Sequence, residues 1–205
     1  METDEFGLKI DVEKRLFYIY GSIDTGLNEA SFELQSLIQD DIMKYSKNKK
    51  EKVPNINIVI NSFGGSLMDT LSFCDIIKSS YAPVITYATG NCFSAALLLL
   101  MAGGVSLAFE NTSFLIHSPS FFKTGQYCNV NDAIKHVDNE NSYFLKYIEN
   151  NSDLDMKKIK KIFDSARDYF FNVEEAKDMG IIQGITDRIF IPTATENDIF
   201  NLISN

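Results

Sequence analysis

The stretch "GNCFSAALLLLMAGG" (residues 90–104) sets one serine, Ser94, between a polar opening and an apolar run. Gly90-Asn91-Cys92-Phe93 reads as a tight turn. The run after it reads as a short helix, because a glycine pair just past the last apolar residue is a common helix stop. Ser94 falls where the turn becomes the helix, and two roles are open to it there. It can cap the helix, its hydroxyl satisfying an orphan N–H. It can also act as a nucleophile at a positive helix end, held rigidly by the apolar segment behind it.

A serine hydroxyl is a poor nucleophile until a base takes its proton, and histidine is the usual base. The chain has two histidines. His136, in "AIKHVDNE" beside Lys135 and Asp138, reads as a solvated residue on a helix. His117 closes "SFLIH" ahead of Ser118-Pro119, at the mouth of a strand where proline stops the pairing. A base and a satisfied structural histidine both fit that position. An attacked carbonyl also needs donors for its oxyanion, and glycines after a strand let backbone N–H groups approach a substrate. Gly64-Gly65 can supply one such amide, and Ala95, just after the serine, another. The same glycine pair also suits a plain turn before a helix, or a phosphate cradle. An acid to orient the histidine cannot be chosen by spacing among 28 Asp and Glu. Cys92 is a rival nucleophile. It lies two residues short of the predicted helix start and reads better as a small buried side chain.

These residues need elements to position them. "FGLKIDVEKR" alternates like a short strand, and "LFYIYGSI" (16–23) is a β-rich run. Leu34, Leu37, Ile38 and Ile42 recur at helical spacing between Asn28 and Lys44. "INIVI" (56–60) is a strand that ends at "NSFGG". Leu67, Leu71, Cys74 and Ile77 mark a second helix, and "PVITYA" (83–88) a third strand. "VSLAF" and "SFLIH" are two more strands. A longer helix runs from about Asn129 to Asn150. Two short helices follow, one near Ser152 with Asp155 in capping position, and one marked by Asn172 and Glu175 and stopped by Gly180. The front half is strand–helix three times over, which predicts parallel strands. In such sheets reactive groups gather where strands end and helices begin.

The 205 residues suit one domain, and 45% of them are hydrophobic, enough for a sizeable core. A net charge of -9 argues against nucleic acid or an anionic membrane as the main partner. The one basic run, "SKNKKEK", reads as a solvated loop. No charged start followed by a long apolar run signals export, and "AALLLLMA" is too short to span a bilayer, so a cytoplasmic protein is expected. Cys74, Cys92 and Cys128 are odd in number and irregularly spaced, which suggests neither a disulfide framework nor a zinc site. No phosphate-binding G-x-x-x-x-G-K-[ST] loop is present, so the chain is not expected to hydrolyse ATP itself.

Taken together and in order, the motifs resemble those of the ClpP family, the proteolytic subunits of Clp proteases, from about Leu16 to Ile189. "INSFGGS" is similar to the family's I-N-S-P-G-G-S. "GNCFSAALLLLMAG" is similar to its G-x-x-x-S-x-x-x-x-L-L-x-A-G, which implies Ser94 as nucleophile. "FLIHSP" is similar to M-I-H-Q-P and implies His117 as base. "ARDYFFNVEEAKDMGIIQGI" is similar to E-R-D-x-F-x-S-A-E-E-A-x-x-Y-G-L-I-D-x-I and implies Asp168 as the orienting acid, with Arg167 an oligomer contact. The resemblance further implies an α/β spiral of strand–helix units of the ClpP/crotonase kind, with a protruding handle helix. A short segment (1–15) precedes the peptidase domain (16–190, handle about 120–150), and a tail (191–205) follows it. The implied activity is serine endopeptidase action on peptides and unfolded proteins, with the amides of Gly65 and Ala95 as the oxyanion hole. It would take place inside homo-oligomeric heptameric rings, stacked in pairs, with no cofactor or metal. ATP would be used only by a separate AAA+ unfoldase.

The chain also departs from the pattern. Phe63 stands for a proline, Ala95 for a methionine, Phe121 and Phe122 for a glycine-rich stretch, and Ala166 for an acid. Little chain precedes Leu16, which predicts an open entrance and weak unfoldase docking. Other readings are a phage head-maturation type of ClpP-like protease, a crotonase-like acyl-CoA enzyme, and a non-catalytic ring subunit.

Overall fold

A computed structural model describes residues 7–46, 52–118, 124, 126–164 and 168–189. The short strand expected near the start is β1 (Gly7–Asp11), paired antiparallel with β2 (Leu16–Ile23). From there strands and helices alternate: α1 (Leu27–Tyr45), β3 (Ile56–Gly65), α2 (Leu67–Lys78), β4 (Val84–Phe93), α3 (Ala96–Ala102) and β5 (Val105–Phe109). Strands β2, β3, β4 and β5 are neighbours in that order and all parallel, as the repeated strand–helix pattern predicts. The sheet is completed by β6 (Ser113–Ile116), β7 (Tyr169–Phe171) and β8 (Gly184–Thr186), the last parallel to β5. Between β6 and β7 run α4 (Tyr127–Asn150) and α5 (Met156–Phe163), and α6 (Val173–Asp178) follows β7.

The helices form where apolar spacing and caps direct them. In α1 the buried residues Leu27, Ala30, Leu34, Leu37 and Ile38 fall three or four apart, one stripe of the helix. Ser66 caps α2, accepting from the Asp69 amide, and Asp155 caps α5, accepting from the Lys158 amide. Asn172 and Glu175 form a reciprocal capping box on α6. Every residue of α3 is buried. Its Leu100 carbonyl, among the last-turn acceptors that lack a helical partner, accepts from the Thr86 hydroxyl at 2.5 Å and the Ser106 hydroxyl at 2.6 Å.

Two apolar clusters cover the sheet. The main one joins the helices to one face through Phe17, Ile58, Phe73, Leu97 and Phe114. A smaller one, Val59, Ile85, Tyr87 and Leu107, lies apart from it. Arg15, at φ 53° in the β1–β2 turn, is buried and donates to both carboxylate oxygens of Asp41, at 2.9 and 2.6 Å.

Two differences from expectation matter for the site. Residues 61–65 and 89–93 continue β3 and β4 instead of forming turns. Gly90, at φ 62°, bends β4 but does not end it. The Asn61 side chain holds that bend by accepting the Asn91 amide at 3.0 Å. Beyond the bend β4 changes partner. Residues 85–88 pair with β5, whereas residues 91–93 pair with β6. Among the described residues no helix is long and apolar enough to cross a membrane, and no group of three or more His, Cys, Asp or Glu is arranged to hold a metal ion. The tail at 191–205 lies outside the described residues, as do Phe121, Phe122, Ala166, Arg167 and all but Lys52 of the basic run at 47–52.

Candidate active site

Ser94 has φ 55°, in the left-handed region that non-glycine residues seldom adopt. It does not cap α3. The cap position belongs to Ala95, with no side-chain capping bond, so the hydroxyl of Ser94 is not used to close the helix. The backbone holds the residue from both sides. Its amide donates to the Leu115 carbonyl of β6 at 2.8 Å, and its carbonyl accepts from the Leu97 amide at 3.1 Å.

Glycine at 64 permits this turn. A Cβ there would lie 2.6 Å from the Phe93 carbonyl oxygen, 2.8 Å from the Ser94 Cβ and 2.9 Å from the Ala95 nitrogen. Gly64 is also at φ 86°, so a side chain is excluded twice over. Gly65, at φ 147°, packs as tightly on β2, where a Cβ would collide with the Ile23 carbonyl oxygen. The glycine pair therefore brings the end of β3 directly against the Ser94 turn. Ser94, His117, Gly65 and Ala95 all line one small cavity of about 60 Å³, closed by Leu67, Asn141, Phe144 and Phe163.

His117 follows the last residue of β6 and is half-buried. Ser118, next in the chain, donates to the Phe163 carbonyl at 2.6 Å and ties this strand end to α5. Asp168 precedes β7 and is exposed. β6 and β7 pair antiparallel as Phe114 with Phe171, Leu115 with Phe170 and Ile116 with Tyr169. One step further along that register His117 stands opposite Asp168, where side chains share a face. No hydrogen bond joins the two side chains among the described residues.

Cys92 is fully buried and packs in the main core, and burial raises its thiol well above the ordinary value. A protonated, inward-facing thiol is no rival to Ser94. Cys74 is buried too, its thiol pushed up to about 12, mainly by burial. The side chain of His136 is 72% exposed, 3.4 Å from Glu140 on the surface of α4.

Sequence reasoning missed the cavity wall. Asn141 and Phe144 lie one turn apart on α4, and the periodicity that marked Phe144 as apolar gave no sign of what it would cover. It also missed a row of rings beside the serine. Phe63 and Phe93 meet edge to face with centroids 6.0 Å apart, and Phe93 meets Phe170 in the same way at 5.8 Å.

The family model described as Clp protease matches residues 22–189. The chain belongs to the Clp protease family. It is 30% identical over 188 residues to ATP-dependent Clp protease proteolytic subunit 4, chloroplastic, of Arabidopsis thaliana, covering 91% of this chain and 60% of that relative. It is 26% identical over 190 residues to proteolytic subunit 1 of Rhodopirellula baltica, covering 91% of this chain and 77% of the relative. With proteolytic subunit 3 of Rhizobium etli the identity is 28% over 191 residues, covering 90% and 92%. The chain thus spans three fifths of the Arabidopsis relative and most of the other two. The α/β strand–helix architecture expected from the sequence is that of this Clp protease family member, and the matched region takes in every described residue of the candidate site.

Proposed function

We propose that this protein is a serine endopeptidase with Ser94 as nucleophile, His117 as general base and Asp168 as the acid that orients the imidazole. The observation that carries this reading is the backbone of Ser94. A serine held at φ 55° between a strand and a helix, against a glycine that admits no side chain, has a backbone cost that capping does not explain. A hydroxyl presented to a cavity shared with a histidine does explain it.

In this mechanism His117 takes the Ser94 proton as the oxygen attacks the peptide carbonyl. The amides of Gly65 and Ala95 stabilise the tetrahedral oxyanion. The carbon–nitrogen bond then breaks, and the imidazolium gives its proton to the leaving amine. Water, deprotonated by the same imidazole, attacks the acyl-enzyme and releases the carboxylate. Asp168 comes opposite His117 by continuation of the β6–β7 register, so alignment of the acid depends on that strand pair and not on the serine turn. No cofactor takes part.

The relatives are named proteolytic subunits of ATP-dependent Clp proteases, which supports a role as one subunit of a larger protease whose ATP-using part is a separate chain. In this reading the chain forms a homo-oligomeric ring. The exposed Tyr127, Ile134 and Tyr143 on α4 suit an assembly contact.

A fluorophosphonate should label the protein, and peptide mapping should place the adduct on Ser94. Ser94→Ala should remain folded and lose on the order of 10⁶ in kcat for peptide hydrolysis. An unlabelled but folded and assembled protein would instead be a silent ring subunit.

A further inference from the structure

The rings beside Ser94 form one continuous feature. Phe63 lies on β3, Phe93 on β4, Leu115 on β6 and Phe170 on β7. Phe93 is the register partner of Leu115, and Leu115 of Phe170. The edge-to-face contacts link Phe63 to Phe93 and Phe93 to Phe170. The result is an apolar ledge across four strands. It is not core: Phe63 is 43% exposed and Phe170 57%.

The ledge runs alongside the catalytic row. His117 is two residues past Leu115, and Asp168 two before Phe170. In each case alternation puts the pair on one face, roughly 7 Å apart. Phe93 immediately precedes Ser94. Chain order shows how the ledge adjoins the cavity. Passing along β3 into α2, the order is Phe63, Gly65, Leu67. Passing along β4 into α3, it is Phe93, Ser94, Ala95. In both, an aromatic ring outside the cavity comes first and residues that line the cavity follow, Gly65 and Leu67 on one path and Ser94 and Ala95 on the other. None of the four ledge residues lines the cavity, so cavity and ledge are separate surfaces that meet at Ser94.

A peptide lying across Ser94 with its acyl-side residue in the cavity puts its leaving-group side on the ledge. We infer that Phe63, Phe93 and Phe170 form a specificity surface for the residue immediately after the scissile bond, and that it selects an aromatic or large aliphatic side chain there. Ring faces and edges left open at an edge-to-face pair accept a further ring in the same geometry, adding to the apolar area removed from water. This inference rests on the serine peptidase reading of the site.

The test compares two peptides that differ only in the residue after the scissile bond, phenylalanine or serine. It uses the full chain, Phe63→Ala and Phe170→Ala, with fluorophosphonate labelling and solution mass measured alongside. The wild type should favour the phenylalanine peptide about 10-fold in kcat/KM. Each variant should bring that ratio to within about 2-fold, with Ser94 still labelled by the fluorophosphonate. Labelling and hydrolysis without any preference would overturn the ledge and leave the peptidase reading standing. A ratio unchanged in both variants would do the same. A fall in mass of either variant would show the ledge covered by a second copy of the chain, and would also overturn it. A wild type that neither labels nor hydrolyses would remove both readings together.

Discussion

Position 64 bears directly on the backbone that presents Ser94. An alanine there must adopt positive φ and must push aside the Phe93 carbonyl and the Ser94 Cβ at once. Gly64→Ala should therefore cost more than about 1 kcal/mol of stability by urea unfolding. It should also slow fluorophosphonate labelling of Ser94 at least 10-fold even where the protein is folded, because the turn itself has moved. Gly104→Ala is the comparison. A Cβ there meets only the Val84 carbonyl oxygen, at 3.6 Å, so its effect should stay within about 0.5 kcal/mol. Asp168 poses the complementary test. It is exposed, so Asp168→Asn should leave the melting temperature unchanged while lowering kcat roughly 10⁴-fold. Asp164→Asn, at the end of α5, should be close to silent. Equal effects from the two would remove Asp168 from the orienting role.

The seven-residue α3 depends on its neighbours, since a helix this short is not stable alone. Thr86 on β4 and Ser106 on β5 share the Leu100 carbonyl and so tie the helix behind Ser94 to two adjacent strands. Thr86→Val and Ser106→Ala should each cost about 1 kcal/mol by denaturant unfolding. Together they should cost more than the sum, because only the pair leaves that buried carbonyl without a hydroxyl. Additive costs would show that the helix does not need the shared acceptor. The helices and long strands were legible in the sequence, because α1, α2 and α4 show helical apolar spacing and "LFYIYGSI" and "INIVI" show β-rich runs. The far ends of β3 and β4 were not. Gly64, Gly65 and Gly90 carry the local signature of turns, and only pairing of the residues around them with neighbours far along the chain carries the strands past them. Strands β7 and β8 have three residues each, too few for a period to show. Ser94 and His117 stood out by residue type and position. Asp168 did not, because it becomes their neighbour only through the β6–β7 register.

Across the whole molecule, the Arg15–Asp41 pair joins the β1–β2 turn to α1, and the Arg15 Nε also donates to the Asn55 carbonyl ahead of β3. Asp41→Asn should lower unfolding stability by about 3–5 kcal/mol, because it strands a buried guanidinium. Arg15→Met combined with Asp41→Leu should cost less than either single change; a double variant as damaged as the singles would show that shape, not charge, matters there. The fork in β4 has a wider consequence. One half of the strand runs through the centre of the main sheet, and the other half supports only a short arm, the four residues of β6 and the three of β7. His117 and Asp168 hang from that arm, while Ser94 is joined to α3 through its carbonyl and to the arm only through its amide bond to Leu115. A short arm held by few backbone pairs opens locally at less free energy than the whole, even with Phe114 and Phe171 buried. The amides of 113–116 and 169–171 should accordingly exchange with deuterium together, well before those of 56–60 and 84–88. The base and the acid would then leave and rejoin the serine many times within the lifetime of one folded molecule.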